Sequence, residues 1–186
     1  MKTLCAFVLF FVSFYSFSQI NFGVKAGLNF STTKFEENIH DFKFTEENGT
    51  GFHVGSFVDL ALNTHFHAQT EVLYSREGVK DQFVDYINIP LIGKWYPIPT
   101  VYIGIGPQLS ILANTESYKD NFENILFGAL FEAGVEINHF VFDVRYILGI
   151  SNSVEMPIGV GSEDNLNNIT AKAKSNNFQL SVAYKF

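Results

Sequence analysis

Residues 176–186 read NNFQLSVAYKF, and no other stretch restricts the fold so tightly. Phe178, Leu180, Val182, Tyr184 and Phe186 alternate with Asn177, Gln179, Ser181, Ala183 and Lys185. Period-two alternation marks a strand with one apolar and one polar face. The apolar face is bulky and runs unbroken to Phe186. In a soluble sheet such a face needs a second layer over it, whereas a strand that faces lipid needs none.

The pattern recurs along the chain. Residues 20–31 place Phe22, Val24, Ala26, Leu28 and Phe30 on one face, against Gly23, Lys25, Gly27, Asn29 and Ser31 on the other. Further strands are expected at 51–62, 66–78, 84–96, 101–112, 125–137 and 140–151, and with 176–186 they make eight. In each, the large and aromatic residues share one face, and the glycines and charges share the other. Pro90 lacks an amide proton, so irregular pairing is expected there. Residues 63–64, 97–100 and 138–139 form short turns, while 32–50, 113–124 and 152–175 read as long polar loops and 79–83 as a shorter one. Short connections on one side and longer ones on the other belong to transmembrane barrels. The expected fold is therefore all-β: an eight-stranded antiparallel up-and-down transmembrane β-barrel with short periplasmic turns and long external loops. Aromatics near strand ends, Phe22, Trp95, Phe140, Tyr146 and Phe186, are expected to form interfacial girdles.

Composition agrees. Aromatics are 16% of the chain, 21 residues are Phe, and charged residues are 17%, below the usual quarter or so. No interior stretch reaches the roughly 18 apolar residues of a spanning helix. The net charge of −7 and the lack of any Lys/Arg run argue against a nucleic-acid partner. Residues 1–18 read as a signal peptide: Lys2 precedes an apolar run, and Ser16-Phe17-Ser18 approximates a small-x-small cleavage site. The barrel domain is then expected over 19–186. Cys5, the one cysteine, falls within the signal segment and before its apolar run. The remaining chain has no thiolate chemistry.

Six stretches resemble the PorT-like outer-membrane β-barrel family of Bacteroidota: FGVKAGLNFS at 22–31, EVLYSREG at 71–78, YINIPLIGKWYP at 86–97, YIGIGPQLS at 102–110, GVEI at 134–137 and VRYILGISN at 144–152. They lie in order across nearly the whole chain. The resemblance implies an outer-membrane location with the long loops outside the cell. It also implies an assembly signal, Tyr184 and Phe186, read by the outer-membrane insertion machinery. One kind of member takes part in maturation of the type IX secretion system, so an envelope or secretion-complex protein is the implied partner, besides outer-membrane lipid. The loops themselves resemble nothing that can be named.

The inward faces carry Lys25, Asp59, Glu71, Lys94, Glu132, Glu136, Asp143, Arg145 and Lys185. An eight-stranded barrel is just wide enough to be filled by side chains, so these charges are expected to form a structural network of ion pairs. Catalytic readings are weaker. Glu132 and Glu136 lie about 13 Å apart along one strand face, too far for a glycosidase pair. His65, His67 and His139 gather at the periplasmic end without a spacing that fixes a metal site, and His53 stands elsewhere. His40 and Asp41 are neighbours in an acidic loop. No cofactor, metal site or catalytic residue is expected. The expected function is a small barrel with a filled lumen, structural or partner-binding in the cell envelope and not an enzyme. The alternatives are a soluble lipocalin-like barrel holding a small apolar ligand, or a narrow ion or solute channel.

Overall fold

The computed structural model describes residues 20–36, 47–79, 82–115, 124–151, 154–160 and 167–186. The signal-peptide expectation at 1–18 and the His40–Asp41 pair lie outside them. The described residues form nine strands: β1 (Ile20–Glu36), β2 (Glu47–Ala61), β3 (Phe66–Val79), β4 (Gln82–Ile98), β5 (Val101–Thr115), β6 (Ile125–Ile137), β7 (Phe140–Gly149), β8 (Val154–Val160) and β9 (Asn167–Lys185). Each pairs antiparallel with its neighbour. The sheet closes where β1 meets β9, in register from Gly23↔Lys185 to Glu36↔Lys172.

The barrel has eight staves although nine strands are present. β7 and β8 lie end to end along the same edge of β9, with Leu148↔Asn176 the last pair of one and Val154↔Ala173 the first of the other. The seventh stave is thus broken and shifted between them. This corrects the expectation of a polar loop over 152–175: residues 154–160 and 167–175 pair as strands. Strand pairing here is set by the neighbours β9 already has, and overrides local composition.

The other staves also outrun their expected ends. β1 continues to Glu36, β2 starts at Glu47, β5 reaches Thr115, and only two residues separate β3 from β4. A tilted crossing of the bilayer takes about 9–11 residues, yet β1 and β4 have 17 and β9 has 19. The surplus lies on the side away from the short turns. At that opposite end the connections are tight. Asn138 takes φ 55° in the Asn138–His139 turn, a left-handed conformation that Asn tolerates and that two-residue hairpins require. The Asn63 side chain accepts the amides of His65 and Phe66 at 2.8 and 2.9 Å. Pro90 interrupts the β3–β4 ladder, which has no pair between Thr70↔Leu91 and Leu73↔Asn88, as expected for a residue without an amide proton; it does not shift the register, and the shifts in β4–β5 fall at Asp85/Tyr86 and Trp95/Ile98.

Alternation along each strand sorts the residues as expected. Phe22, Val24, Leu28, Leu91, Ile105, Phe131, Val144 and Leu180 all stand exposed on the outer wall. A continuous apolar outer surface of this extent is a surface made for lipid. Phe140, Tyr184 and Phe186 pack edge to face near the short turns, with centroids 5.3 and 5.4 Å apart. Trp95 and Phe22 stand exposed at the same end. Toward the other end Phe30 meets Phe178 at 6.2 Å and Phe52 meets Tyr74 at 6.1 Å. Tyr146, paired with Phe131 and Phe178 across its strands, belongs with this upper group.

A charge on the outer wall should therefore be far costlier than one at the rim. Leu180→Arg, halfway along the crossing, should lower unfolding free energy in a bilayer or micelle by about 2–4 kcal/mol. The same substitution at Ile98, beside a short turn, should cost about 1 kcal/mol or less. Denaturant titration followed by tryptophan fluorescence checks both.

Candidate functional site: the filled lumen

Inward positions converge on Arg145. Its guanidinium reaches Glu71 through two bonds, Nη1 to Oε2 at 2.7 Å and Nη2 to Oε1 at 2.5 Å. Its Nε lies 2.8 Å from Glu132 Oε2 and 3.2 Å from Asp143 Oδ1. Lys25 Nζ is 2.9 Å from both Glu71 and Asp143. Lys94 Nζ lies 3.7 Å from Glu132 and 3.9 Å from the centre of the Tyr102 ring. Six of the nine expected lumen charges therefore form one cluster, three cations against three carboxylates, in which no side chain exceeds 2% exposure. The other three stand nearer the short turns. Asp59 pairs with His67 at 2.9 Å, and Lys185 pairs with Glu136, which also accepts the Tyr96 hydroxyl. A fork-shaped guanidinium suits this centre, because two of its N–H groups meet both oxygens of Glu71 in one plane, while Glu132 and Asp143 lie at ion-pair distance from Nε.

The strands place these residues by parity and register. Glu132 is the direct cross-strand partner of Arg145, and Gly134 of Asp143. Glycines make the space. A Cβ at Gly104 would stand 2.7 Å from Glu132 Cγ, and one at Gly134 would stand 2.5 Å from the Tyr102 ring. Neither distance occurs in real packing, so the two glycines let the charge cluster and the tyrosine share one narrow cross-section.

Two apolar groups that alternation did not reveal border the cluster. Phe57, Tyr96, Tyr102, Val141 and Ala183 pack together toward the short turns, and Ile92, Leu130 and Ile147 form a second group with inward side chains. Their signal in the sequence is weak but real: Phe57 and Ile92 belong to apolar doublets, and Leu73, Leu130 and Ile147 to apolar triplets, that break the alternation. A third set was also missed. His53 Nδ1 lies 2.7 Å from Asn29 Oδ1, His53 Nε2 lies 3.0 Å from Ser181 Oγ, and Asn29 Nδ2 donates to Ser75 at 2.8 Å. The order Ser–His–Asn has the form of a nucleophile relay. Here all of its members are buried and bridge four strands across the lumen, which makes it a tie between staves.

Among the described residues, no group of three or more His, Cys, Asp or Glu side chains is placed to hold a metal ion. His67 faces Asp59, whereas His65 bonds Thr64 in the turn and His139 stacks on Tyr184. The three histidines do not converge.

The family described as "Outer membrane protein beta-barrel domain" matches residues 14–155. Among solved structures, the outer membrane protein OprG from Pseudomonas aeruginosa superposes with a TM-score of 0.51 at 11% identity, over 89% of this chain and 95% of that one. Neisserial surface protein A gives 0.48 at 13% identity, over 89% and 97%. At these identities the likeness concerns the fold alone. Curated sequences from Staphylococcus aureus named UPF0173 metal-dependent hydrolase are 28% identical over 102 residues, which is 55% of this chain. The chain spans 41% of the length of those relatives.

Removing one member of the cluster strands the rest. Arg145→Met leaves three carboxylates facing two lysines and should cost about 3–5 kcal/mol of unfolding free energy. Glu71→Gln should also destabilise. The double variant restores a balance of two against two, so its cost should be well below the sum of the single costs. Urea titration of the four proteins refolded in micelles measures the coupling.

Proposed function

The chain belongs to the outer membrane protein beta-barrel domain family, and from that premise we propose that this outer-membrane barrel serves as a filled, non-conducting and non-catalytic scaffold that engages an envelope partner outside the bilayer. The observation that carries the reading is the packed lumen. Arg145, at 1% exposure, lies within a neutral six-residue ion-pair cluster with buried apolar groups beside it. A conduit needs a continuous polar path, and an apolar cross-section built on Tyr102 and Phe57 works against one. A ligand-holding lipocalin-like barrel requires an apolar inside and a polar outside, the reverse of the arrangement here.

With the lumen filled, the surface left for function is the part of the wall that outruns the membrane. β8, the upper half of β9 and the upper ends of β1 and β2 form a paired sheet there. Strands held this way present a rigid platform. The PorT-like resemblance supports a secretion or envelope-assembly protein as the partner. Tyr184 and Phe186, exposed and packed against each other near the short turns, are the proposed recognition element for the insertion machinery.

Two measurements test the reading. In planar bilayers the purified barrel should show no single-channel steps at either polarity, and regular steps would contradict it. A photo-crosslinking residue at position 156 should capture a discrete envelope protein in intact cells, whereas one at position 180 should capture only lipid. Lipid alone at both positions would contradict a partner-binding extension.

A further inference from the structure

The wall reverses its two faces where it leaves the membrane. Its outward face is apolar up to Phe30↔Phe178. Two pairs further along, the same face holds Lys34↔Lys174, and then Glu36↔Lys172. β8 continues it with Glu155, which pairs with Lys172 from the other side. The opposite face carries Asn177 and Gln179 of β9 lower down. Above them it becomes apolar, because Val154↔Ala173, Met156↔Ala171 and Ile158↔Ile169 fall on it by register. The break in the seventh stave makes this possible. From Leu148↔Asn176 to Val154↔Ala173 the chain advances six residues while β9 advances three. An odd surplus flips the parity of a strand.

β8 also has a bare edge. It pairs with β9, and among the described residues no strand takes its other side. The place there belongs to β6, which starts only at Ile125. Ile150 and Ser151 make the last links to it, both donating N–H to the Phe127 carbonyl, at 2.9 and 3.2 Å. Beyond them β8 runs on for seven residues, an edge about 23 Å long. Pro157 lacks an amide proton and removes one donor from it at most.

Edge and face together fit one kind of occupant. A row of backbone donors and acceptors at strand spacing is matched by another extended backbone, and not by lipid or sugar. An apolar face beside that edge suits apolar residues at every second position, the period of a strand. A helix laid on the face would leave the edge unmet. Resting on the partner-binding reading above, we propose that β8 accepts an extended segment of the envelope partner as an added strand, on the side that β6 leaves open. The apolar residues of that segment alternate along the inner face.

The probe is the synthetic peptide acetyl-Lys-Val-Thr-Val-Thr-Val-Lys-amide, added to the micelle-refolded barrel, with amide hydrogen exchange over residues 154–160 as readout. Alternate amides of β8 should slow by about tenfold once the peptide stands at about ten times its Kd. The same peptide N-methylated at every Val and Thr keeps the side chains, loses the donors on both edges and should slow nothing. Ile158→Asp should raise the Kd of the unmodified peptide at least about tenfold. Should that variant fail to refold, the methylated peptide decides on the wild type alone. Four outcomes overturn the proposal: no slowing with either peptide; equal slowing with both, which is apolar contact without strand addition; slow exchange of all β8 amides before any peptide is added, an edge the chain itself covers; or slowing that grows with barrel concentration alone, an edge paired with a second copy. The photo-crosslink at position 156 separates this from the wider reading. An envelope protein captured there while the peptide does nothing ends strand addition only, whereas lipid alone ends the partner reading.

Discussion

Everything in this barrel is arranged around the contact between Arg145 and the carboxylates of Glu71 and Glu132. A guanidinium held off water is costly unless each of its faces is met by a counter-charge. The closed sheet supplies these from three different staves: β3, β6 and β7 itself. Lys25 and Lys94 then balance the acids that Arg145 does not fully neutralise. The cluster is thus a cross-brace. It can form only when β1, β3, β4, β6 and β7 are all in register, because a slip of one residue would carry every one of these charges to the lipid face. The apolar outer wall specifies that the sheet sits in a membrane. The charge cluster specifies which closed sheet it is.

Size decides the rest. Eight staves leave a lumen that side chains fill, so bulky inward groups must be offset by absent ones across the barrel. Tyr102 lies against Gly134, and Glu132 lies against Gly104. The lumen changes along its length: Phe57, Tyr96 and Tyr102 adjoin the Asp59–His67 and Lys185–Glu136 pairs near the short turns, the Arg145 cluster fills the middle, and amides and hydroxyls of Asn29, Asn88, Asn177, Gln108 and Ser110 gather with Ile147 and Leu130 toward the opposite end. The outer wall shows no such layering below its rims. A protein built like this has little room for chemistry inside and a long stretch of paired wall outside the bilayer.

Much of this was legible in the residues. The parity of Phe178 to Phe186 against Asn177 to Lys185 is a local property, and it correctly divides outside from inside on all eight staves. The nine lumen charges follow from the same parity. Their grouping does not, because Arg145 meets Glu71 across 74 positions of sequence, and only the register of intervening strands brings the two together. The inward apolar residues were hidden for a different reason. Leu73, Ile92 and Leu130 each sit next to an outward apolar residue, and a doublet or triplet interrupts the period-two pattern that assigns direction. The broken seventh stave was hidden behind an overall polar, Asn- and Gly-rich composition, although Val154, Met156, Ile158 and Val160 alternate with Glu155, Pro157 and Gly159. Its pairing comes from β9, which must run beside β1 as far as Glu36 and so offers its other edge to whatever chain is near.

The account stands on a lumen closed to bulk water and braced by ions, and water-to-protein magnetisation transfer in lipid bilayers tests it most directly. Solid-state NMR should find transfer from mobile water to residues beside the short turns, such as Asn63 and Asn138. It should find no such transfer to the side chains of Arg145, Gln179 and Lys25, while Leu180 and Val182 receive magnetisation from lipid acyl chains. A continuous series of water contacts along the inward residues, from Lys185 through Arg145 to Asn177, would contradict it.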